Sequence, residues 1–350
     1  MEQVRTLIGM SGGVDSSVAA HLLKTLGPCT GVTMHLYGNA EQSIADAQAV
    51  CHTLEMEHLV WPLQEEFEQL VIQDFIRAYE SGLTPNPCIR CNGTLKFGIL
   101  LDKALELGFD AVATGHYARI RRDPESGRYL LYKAMDQKKD QTYFLACLNQ
   151  HQLSHTRFPL GELTKDQVRA IAEEQSLINA RKRDSQDICF VPDGDYVAFM
   201  ERHTGKTYPC GNYIDANGTV LGKHRGAVCY TIGQRKGLGI ALGAPAYVCG
   251  KDMQKNTVTL GPNEALFSDT LLARDFNWIP FPALDQPMRV GAKIRHSQFE
   301  QAATVYPEEN GFVKVVFDQP QRAISPGQAV VLYDGDLVIG GGTITNATIE

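Results

Sequence analysis

The chain has 350 residues, 43% of them hydrophobic and 21% charged, with a formal charge of −7 and nine cysteines. That length suits two or three domains, each able to bury a core, and the sequence shows neither a run of eighteen apolar residues nor a leader-like N-terminus, so a cytoplasmic protein with no membrane partner is expected. In that compartment the scattered cysteines read as thiols, ligands or catalysts rather than disulfides, and the acidic total argues against generic coating of DNA or membranes while leaving room for a local basic patch on RNA.

In chain order, Val4 to Met10 reads as a short apolar strand, followed by a helix from Ser16 to Leu26 that stops at Gly27. Gly31 to Tyr37 is a second strand, helical spacing links Ile44, Ala47, Val50, Cys51 and Leu54, and Glu57 to Leu63 is a third strand. The next helix, Glu65 to Tyr79, sets Phe67, Leu70, Val71, Phe75 and Tyr79 on one face. TPNPCIRCN then reads as a loop, Leu95 to Leu107 as a helix and Ala111 to Thr114 as a strand. Alternation of this kind is doubly wound α/β with a parallel sheet.

A hairpin from Tyr117 to Ala134, turning at Pro124 to Gly127, gathers Arg119, Arg121, Arg122, Arg128 and Lys133 into a positive surface. TKDQ at Thr164 to Gln167 is a capping box for a following helix, and ICFV at Ile188 to Val191 reads as a short buried strand. Past residue 205 the texture changes to glycine-rich turns and β-branched runs, with Asp334-Gly335 turning one strand into the next. The expected architecture is an α/β N-terminal parallel-sheet domain over 1–204, a small central β module over 205–265 and a C-terminal β-barrel over 266–350.

SGGVDSS, Ser11 to Ser17, falls between a strand and a helix, with small residues that let backbone amides approach an anion. It lacks the lysine of the G-x-x-x-x-G-K-[ST] loop, so transfer of a γ-phosphate is not the natural reading. The segment resembles the PP-loop signature of ATP pyrophosphatases, which cleave ATP between its α and β phosphates and leave an adenylated intermediate. That resemblance implies an ATP site of Gly9, Met10, Ser11, Gly12, Gly13, Val14, Asp15 and Ser16, bordered by Met34 and Gly115, with Mg²⁺ sharing the phosphate charge.

Cys88-x-x-Cys91 on its own fits half a zinc site or a redox pair as readily as catalysis, and a lone cysteine in ICFV is ordinarily a buried hydrophobe. Taken together, SGGVDSS, NPCIRCN with LKFG, ATGHYAR, KDQTYFL, RDSQDICFVPDGDY, YTIGQRKGLGI and SPGQ resemble the bacterial tRNA-specific 2-thiouridylases along nearly the whole chain. The resemblance implies that Cys189 carries a persulfide, that Cys91 is its partner nucleophile, and that a cysteine desulfurase or relay protein supplies the sulfur. The best-known members carry aspartate at the position of Cys88. Here Cys88, Cys91 and Cys189 make a three-thiolate set, and a [4Fe-4S] cluster with one open iron becomes a rival sulfur carrier, which the sequence slightly favours.

For the anticodon arm of tRNA the same resemblance implies contacts from Asn86, Pro87 and Cys88, from His116, from Lys139, Asp140 and Gln141, and from Arg295, His296 and Gln328. The family usually shows Arg-Tyr where this chain has Arg295-His296. A small-molecule ligase of the PP-loop class would have no use for the paired thiols, and a non-catalytic RNA-binding or cluster-carrying protein would leave the phosphate cradle unexplained.

Overall fold

The computed structural model describes residues 4–180, 182 and 188–345, so Arg183 to Asp187 of the RDSQDICF motif lie outside the described residues. Strand β1 (Thr6–Gly9) leads into helix α1 (Val14–Lys24), β2 (Cys29–His35), helix α2 (Glu41–Thr53) and β3 (His58–Pro62). Two long helices follow over 64–80 and 87–106, each with a π-helical stretch in its middle (Glu68–Ile72, Asn92–Ile99), and then β4 (Ala111–Ala113). Hairpin strands β5 (Arg119–Arg122) and β6 (Tyr129–Tyr132) precede β7 (Thr156–Arg157) and the helix Lys165–Glu174, whose N-terminus is closed by the Thr164–Gln167 capping box that TKDQ predicts. The five-stranded sheet runs β3-β2-β1-β4-β7 and every pairing in it is parallel. Leu7, Val32 and Val112 bury one face against Leu100 and Ala104, while Ile8, Met10 and Ala113 bury the other against α1.

The helix Tyr196–Thr204 opens the central module, a four-stranded sheet of β8 (Gly211–Ile214), β9 (Val220–His224), β10 (Tyr247–Asp252) and β11 (Thr257–Gly261) in the order β10-β11-β8-β9. Its core is continuous with the helix over 64–80, where Phe67, Phe75 and Tyr79 meet Phe190, Phe199, Tyr213 and Tyr230. The C-terminal strands β12 (Phe267–Trp278), β13 (Met288–Lys293), β14 (Gln301–Pro307), β15 (Val313–Arg322), β16 (Ala329–Asp334) and β17 (Leu337–Ile344) close through the β12–β17 pairing into a six-stranded barrel.

Three local expectations are corrected. TPNPCIRCN is not all loop: a helix starts at Pro87 and continues to residue 106, because Asn86 caps it by accepting from Ile89 N (3.3 Å) and Pro87 suits the first helical position. ICFV is a turn, not a strand. Val191 N donates to Ile188 O (2.8 Å), a bond that closes a tight turn, and Phe190 packs into an aromatic cluster. The basic hairpin is positive only in part: Arg121 and Arg122 stay exposed, while its other cations are tied inside the protein. Strand β6 joins β17 and extends the barrel sheet, so Arg119 pairs with Asp336 (2.8 Å), Lys133 with Glu300 (2.6 Å) and Arg121 with Glu162 (3.1 Å), while Arg128 donates to Ile279 O (2.8 Å).

Candidate active site

Helix α1 begins at the carboxyl edge of the parallel sheet, between β1 and its neighbours, where open α/β sheets bind ligands. Its N-cap is Gly13, which provides no side-chain cap, so the first-turn amides have the positive end of the helix dipole and no internal partner. The loop is rigid. Ser16 Oγ accepts from Ser11 N (3.2 Å) and donates to Gly13 O (3.1 Å), Ser17 Oγ donates to the same carbonyl (2.9 Å), and Met10 N is tied to Val32 O (2.7 Å). Gly12 has φ +69°, and a Cβ there would sit 2.6 Å from Ser43 O. At Gly115 a Cβ would meet Asp15 C and Ser16 N at 2.7 Å, so the backbone after β4 lies directly on the first turn of α1. Gly9 ends β1, Val14 is buried, and Met34 is half-buried on β2 opposite Trp61.

Several side chains that the sequence reading passed over complete this loop. Lys165, 7% exposed at the start of its helix, donates to both carboxylate oxygens of Asp15 (2.7 and 2.9 Å), and Tyr117 OH donates to Oδ1 (2.8 Å). Asn179 Nδ2 reaches Gly12 O (3.2 Å) and Ser17 Oγ (2.8 Å), while Lys182 Nζ bonds Gly12 O (3.1 Å) and Asp46 (2.8 Å). Nothing in the local sequence joins these residues, whose partners lie 102 to 170 positions away along the chain.

The thiols lie on the far side of β4. Cys88 and Cys91 occupy the first two turns of the helix over 87–106, and Cys189 sits in the turn anchored by Phe190, whose ring packs edge-on against Phe67 (5.7 Å) and Phe75 (5.1 Å). Cys88 and Cys189 are exposed and Cys91 is buried, yet enough protein surrounds all three that desolvation raises each thiol. Cys189 is pushed up to about 11, by burial first and then by the charges of Cys91 and Cys88, so these sulfurs are electrostatic neighbours. Lys96, eight residues beyond Cys88 on the same helix, opposes the rise at each of them. Burial outweighs both the lysine and the helix N-terminus. Among the described residues, no group of three His, Cys, Asp or Glu side chains is drawn together closely enough to hold a single metal ion.

The remaining residues singled out for tRNA lie along the junction with the barrel, and most are tied by bonds inside the protein. Asp140 accepts from Ala134 N (3.0 Å) and Thr142 Oγ1 (2.6 Å), and Gln141 Oε1 accepts from Tyr117 N (2.9 Å); Lys139 precedes them. His116 Nδ1 is 2.7 Å from Thr114 Oγ1, with rings of Phe97 and Phe158 about it, and burial first and Lys96 second hold its pKa well below the ordinary histidine value. Arg295 donates to Ala323 O (2.7 Å) and Ser325 Oγ (3.1 Å), which fixes the SPGQ loop; Gln328 from that loop donates to Thr84 O (2.9 Å) and Pro85 O (3.2 Å). The barrel thereby grips the chain just before Asn86 and Pro87. His296 is exposed and lies against the Phe144 ring (4.4 Å).

A parallel sheet, an uncapped helix start and a glycine-lined cradle define a nucleotide-binding domain of the HUP class, and the family model described as the tRNA methyl transferase HUP domain matches residues 4–193. The tRNA methyl transferase PRC-barrel domain matches 197–262 and the aminomethyltransferase beta-barrel domain matches 268–344. The tRNA-specific 2-thiouridylase MnmA of Acetivibrio thermocellus is 48% identical over 98% of this chain and 100% of its own length. That of Clostridioides difficile is 47% identical over 97% and 98%. The chain belongs to the tRNA-specific 2-thiouridylase family, sulfurtransferases that act on tRNA. Among solved structures, the U34-tRNA thiolase NcsA from Methanococcus maripaludis with its [4Fe-4S] cluster is 20% identical over 57% of this chain and 66% of that one, with a TM-score of 0.35, too remote to bear on mechanism. No helix among the described residues is long and apolar enough to cross a membrane.

Proposed function

We propose that this enzyme thiolates the wobble uridine of tRNA in two stages, adenylation by ATP followed by sulfur transfer from Cys189. The supporting observation is that one short segment at the end of β4 touches both halves of the chemistry. Gly115 lies on α1 and Tyr117 bonds Asp15 at the cradle, while His116 packs on Phe97 and feels the same Lys96 charge as the three thiols. A nucleotide held at α1 would therefore present its α-phosphate toward the sulfur side.

In the first stage the uridine O2 attacks the α-phosphorus, the bond to the β-phosphate oxygen breaks, and pyrophosphate leaves into the amides of α1; the N3 proton goes to solvent. Mg²⁺ brought with the nucleotide would shield the pyrophosphate, while the Asp15 carboxylate is neutralised by Lys165. Cys88 is no substitute for a carboxylate base, since its raised thiol is protonated at neutral pH and donates rather than accepts. In the second stage the terminal sulfur of a Cys189 persulfide attacks C2 and AMP departs with the former O2; the Cys91 thiol then loses its proton to solvent and attacks Cys189 Sγ, the S–S bond breaks, and the terminal sulfur stays on C2. The resulting disulfide needs an external dithiol for the next turnover, and a cysteine desulfurase or relay protein reloads Cys189. The persulfide route is preferred to the cluster because it asks two thiols to meet in sequence and does not require three to converge.

The test is iron-free protein with unmodified tRNA, α-labelled ATP and a persulfide donor. Labelled adenylate on tRNA, followed by AMP and 2-thiouridine, is the expected sequence. ATP consumption without an RNA-bound adenylate would refute the first stage, and turnover only after iron and sulfide are restored would replace the second with cluster chemistry.

A further inference from the structure

We infer that Arg322, at the end of β15, binds a backbone phosphate of the substrate tRNA together with Arg295, and that Arg235 and Lys236 of the YTIGQRKGLGI loop extend the same track; this rests on the tRNA-thiolating reading above. That loop of the central module presses on the barrel here, since a Cβ at Gly233 would sit 2.7 Å from Ala323 Cβ and 3.5 Å from Arg322 Nη1. Arg322 is half-buried over the Tyr247 ring (5.1 Å) and donates through Nε to Asn263 Oδ1 (2.9 Å), which leaves both Nη groups without a hydrogen-bond partner among the described residues. Its neighbour Arg295 donates to Ala323 O (2.7 Å) and Ser325 Oγ (3.1 Å). Ser325 Oγ donates to the same carbonyl (3.0 Å), and Ala323 has φ +55°, a left-handed conformation that alanine holds only where its surroundings impose it. Two guanidiniums are thus fixed beside each other on a strained turn.

Like charges held side by side call for a counter-ion. Burial first and the Arg322 charge second hold Arg295 below the usual arginine value, and among the described residues neither guanidinium forms an ion pair, the exposed Glu264 beside Asn263 included. Arg235 and Lys236 follow Gly233 by two and three residues, are exposed, and are likewise unpaired with any carboxylate among the described residues. Gln234 shapes their turn by accepting from Thr231 N (3.1 Å) and donating to Lys236 O (3.0 Å). Four such cations in a chain of net charge −7 make an anion site, and the open fork of Arg322 matches the paired oxygens of a phosphodiester. Their place in the fold selects RNA over free phosphate. Six residues beyond Arg322, Gln328 bonds Thr84 O (2.9 Å) and Pro85 O (3.2 Å), immediately before Asn86, Pro87 and Cys88. A uridine drawn from its stack to that tripeptide brings its flanking phosphates to this junction.

The experiment measures binding of an unmodified tRNA transcript across a salt series, and steady-state thiolation, for wild type, Arg322→Gln, Arg322→Lys and the double variant Arg235→Gln with Lys236→Gln. Arg322→Gln should weaken binding about 5- to 8-fold near 0.1 M salt and flatten the slope of log affinity against log salt by about 0.7 to 0.9. The double variant should flatten it by about twice that. Arg322→Lys, which gives up the fork and keeps the charge, should retain the wild-type slope. KM for tRNA should rise with the loss of affinity, while KM for ATP stays at the wild-type value. A wild-type slope and affinity in Arg322→Gln overturns the inference, and so does an equal loss in Arg322→Lys and Arg322→Gln, which marks a structural role. Raised KM for ATP with tRNA binding intact would overturn it in favour of a nucleotide phosphate, and a defect confined to reloading by the sulfur-donor protein would overturn it in favour of an acidic protein dock. Failure of wild type to bind tRNA would instead refute the functional reading itself.

Discussion

Replacing Lys165 with methionine keeps the length of the side chain and removes its charge, leaving the Asp15 carboxylate with Tyr117 as its hydrogen-bond donor from this group. Two charge-assisted bonds of 2.7 and 2.9 Å are lost. Breaking a buried pair costs about 3–5 kcal/mol, but the Asp15 side chain is 31% exposed and recovers water, so a stability loss of about 2 kcal/mol is expected. ATP binding should suffer more. An unneutralised carboxylate roughly 5 Å from a triphosphate, at an effective dielectric constant of about 20, repels each phosphate charge by ~3 kcal/mol, equivalent to about 100-fold in affinity. Urea denaturation gives the first quantity and equilibrium binding of ATP the second. The sign of the double variant is decisive: Asp15→Asn with Lys165→Met should bind ATP better than Lys165→Met alone, because the repelling charge is gone. If Lys165→Met binds ATP like wild type, or if the double variant binds it more weakly than the single, the role assigned to this pair is wrong.

Ser16→Ala should lower pyrophosphate release at least tenfold while leaving tRNA affinity within twofold of wild type in a filter assay, because Ser16 braces only the cradle. Cys91→Ala and Cys189→Ala should each abolish 2-thiouridine formation, whereas Cys88→Ala should retain it in iron-free protein; equal loss in all three, with loss of bound iron, would favour the cluster. Alkylation of Cys189 by iodoacetamide, followed by mass spectrometry, should quicken about tenfold per pH unit from 8 to 10, since the thiolate is the nucleophile and burial places its pKa at about 11. A plateau near pH 8 would show that the thiol is not raised. Lys139→Glu should flatten the salt dependence of tRNA binding by about one unit or more of slope, read from binding isotherms across a salt series, and an unchanged slope would show that the phosphates lie elsewhere.

The cradle, the parallel sheet and the capping box were legible because each is written in local spacing: small residues between an apolar run and a helix, alternation of strand and helix patterns, and Thr164 three residues before Gln167. The thiol helix was misread for a local reason too. Two prolines and an asparagine look like loop, yet Asn86 is the cap and Pro87 the first helical residue, which brings Cys88, Cys91 and Lys96 onto one continuous helix. ICFV failed because an aromatic cluster assembled from distant helices, not a sheet edge, receives Phe190.

By itself the sequence determined the elements and the chemistry they offer, a phosphate cradle and three distinctive thiols, because backbone sterics, hydrophobic period and residue type act over a few positions. Only the tertiary structure decided which charges meet. Lys165 is 150 residues from Asp15, Asp336 is 217 from Arg119 and Gln328 is 244 from Thr84. Pairing at those separations depends on how sheet, module and barrel pack, and it is this packing that tied Arg119 and Lys133 of the basic hairpin into ion pairs, placed a lysine on the cradle's aspartate, and set the loop before the thiol helix in the grip of the barrel.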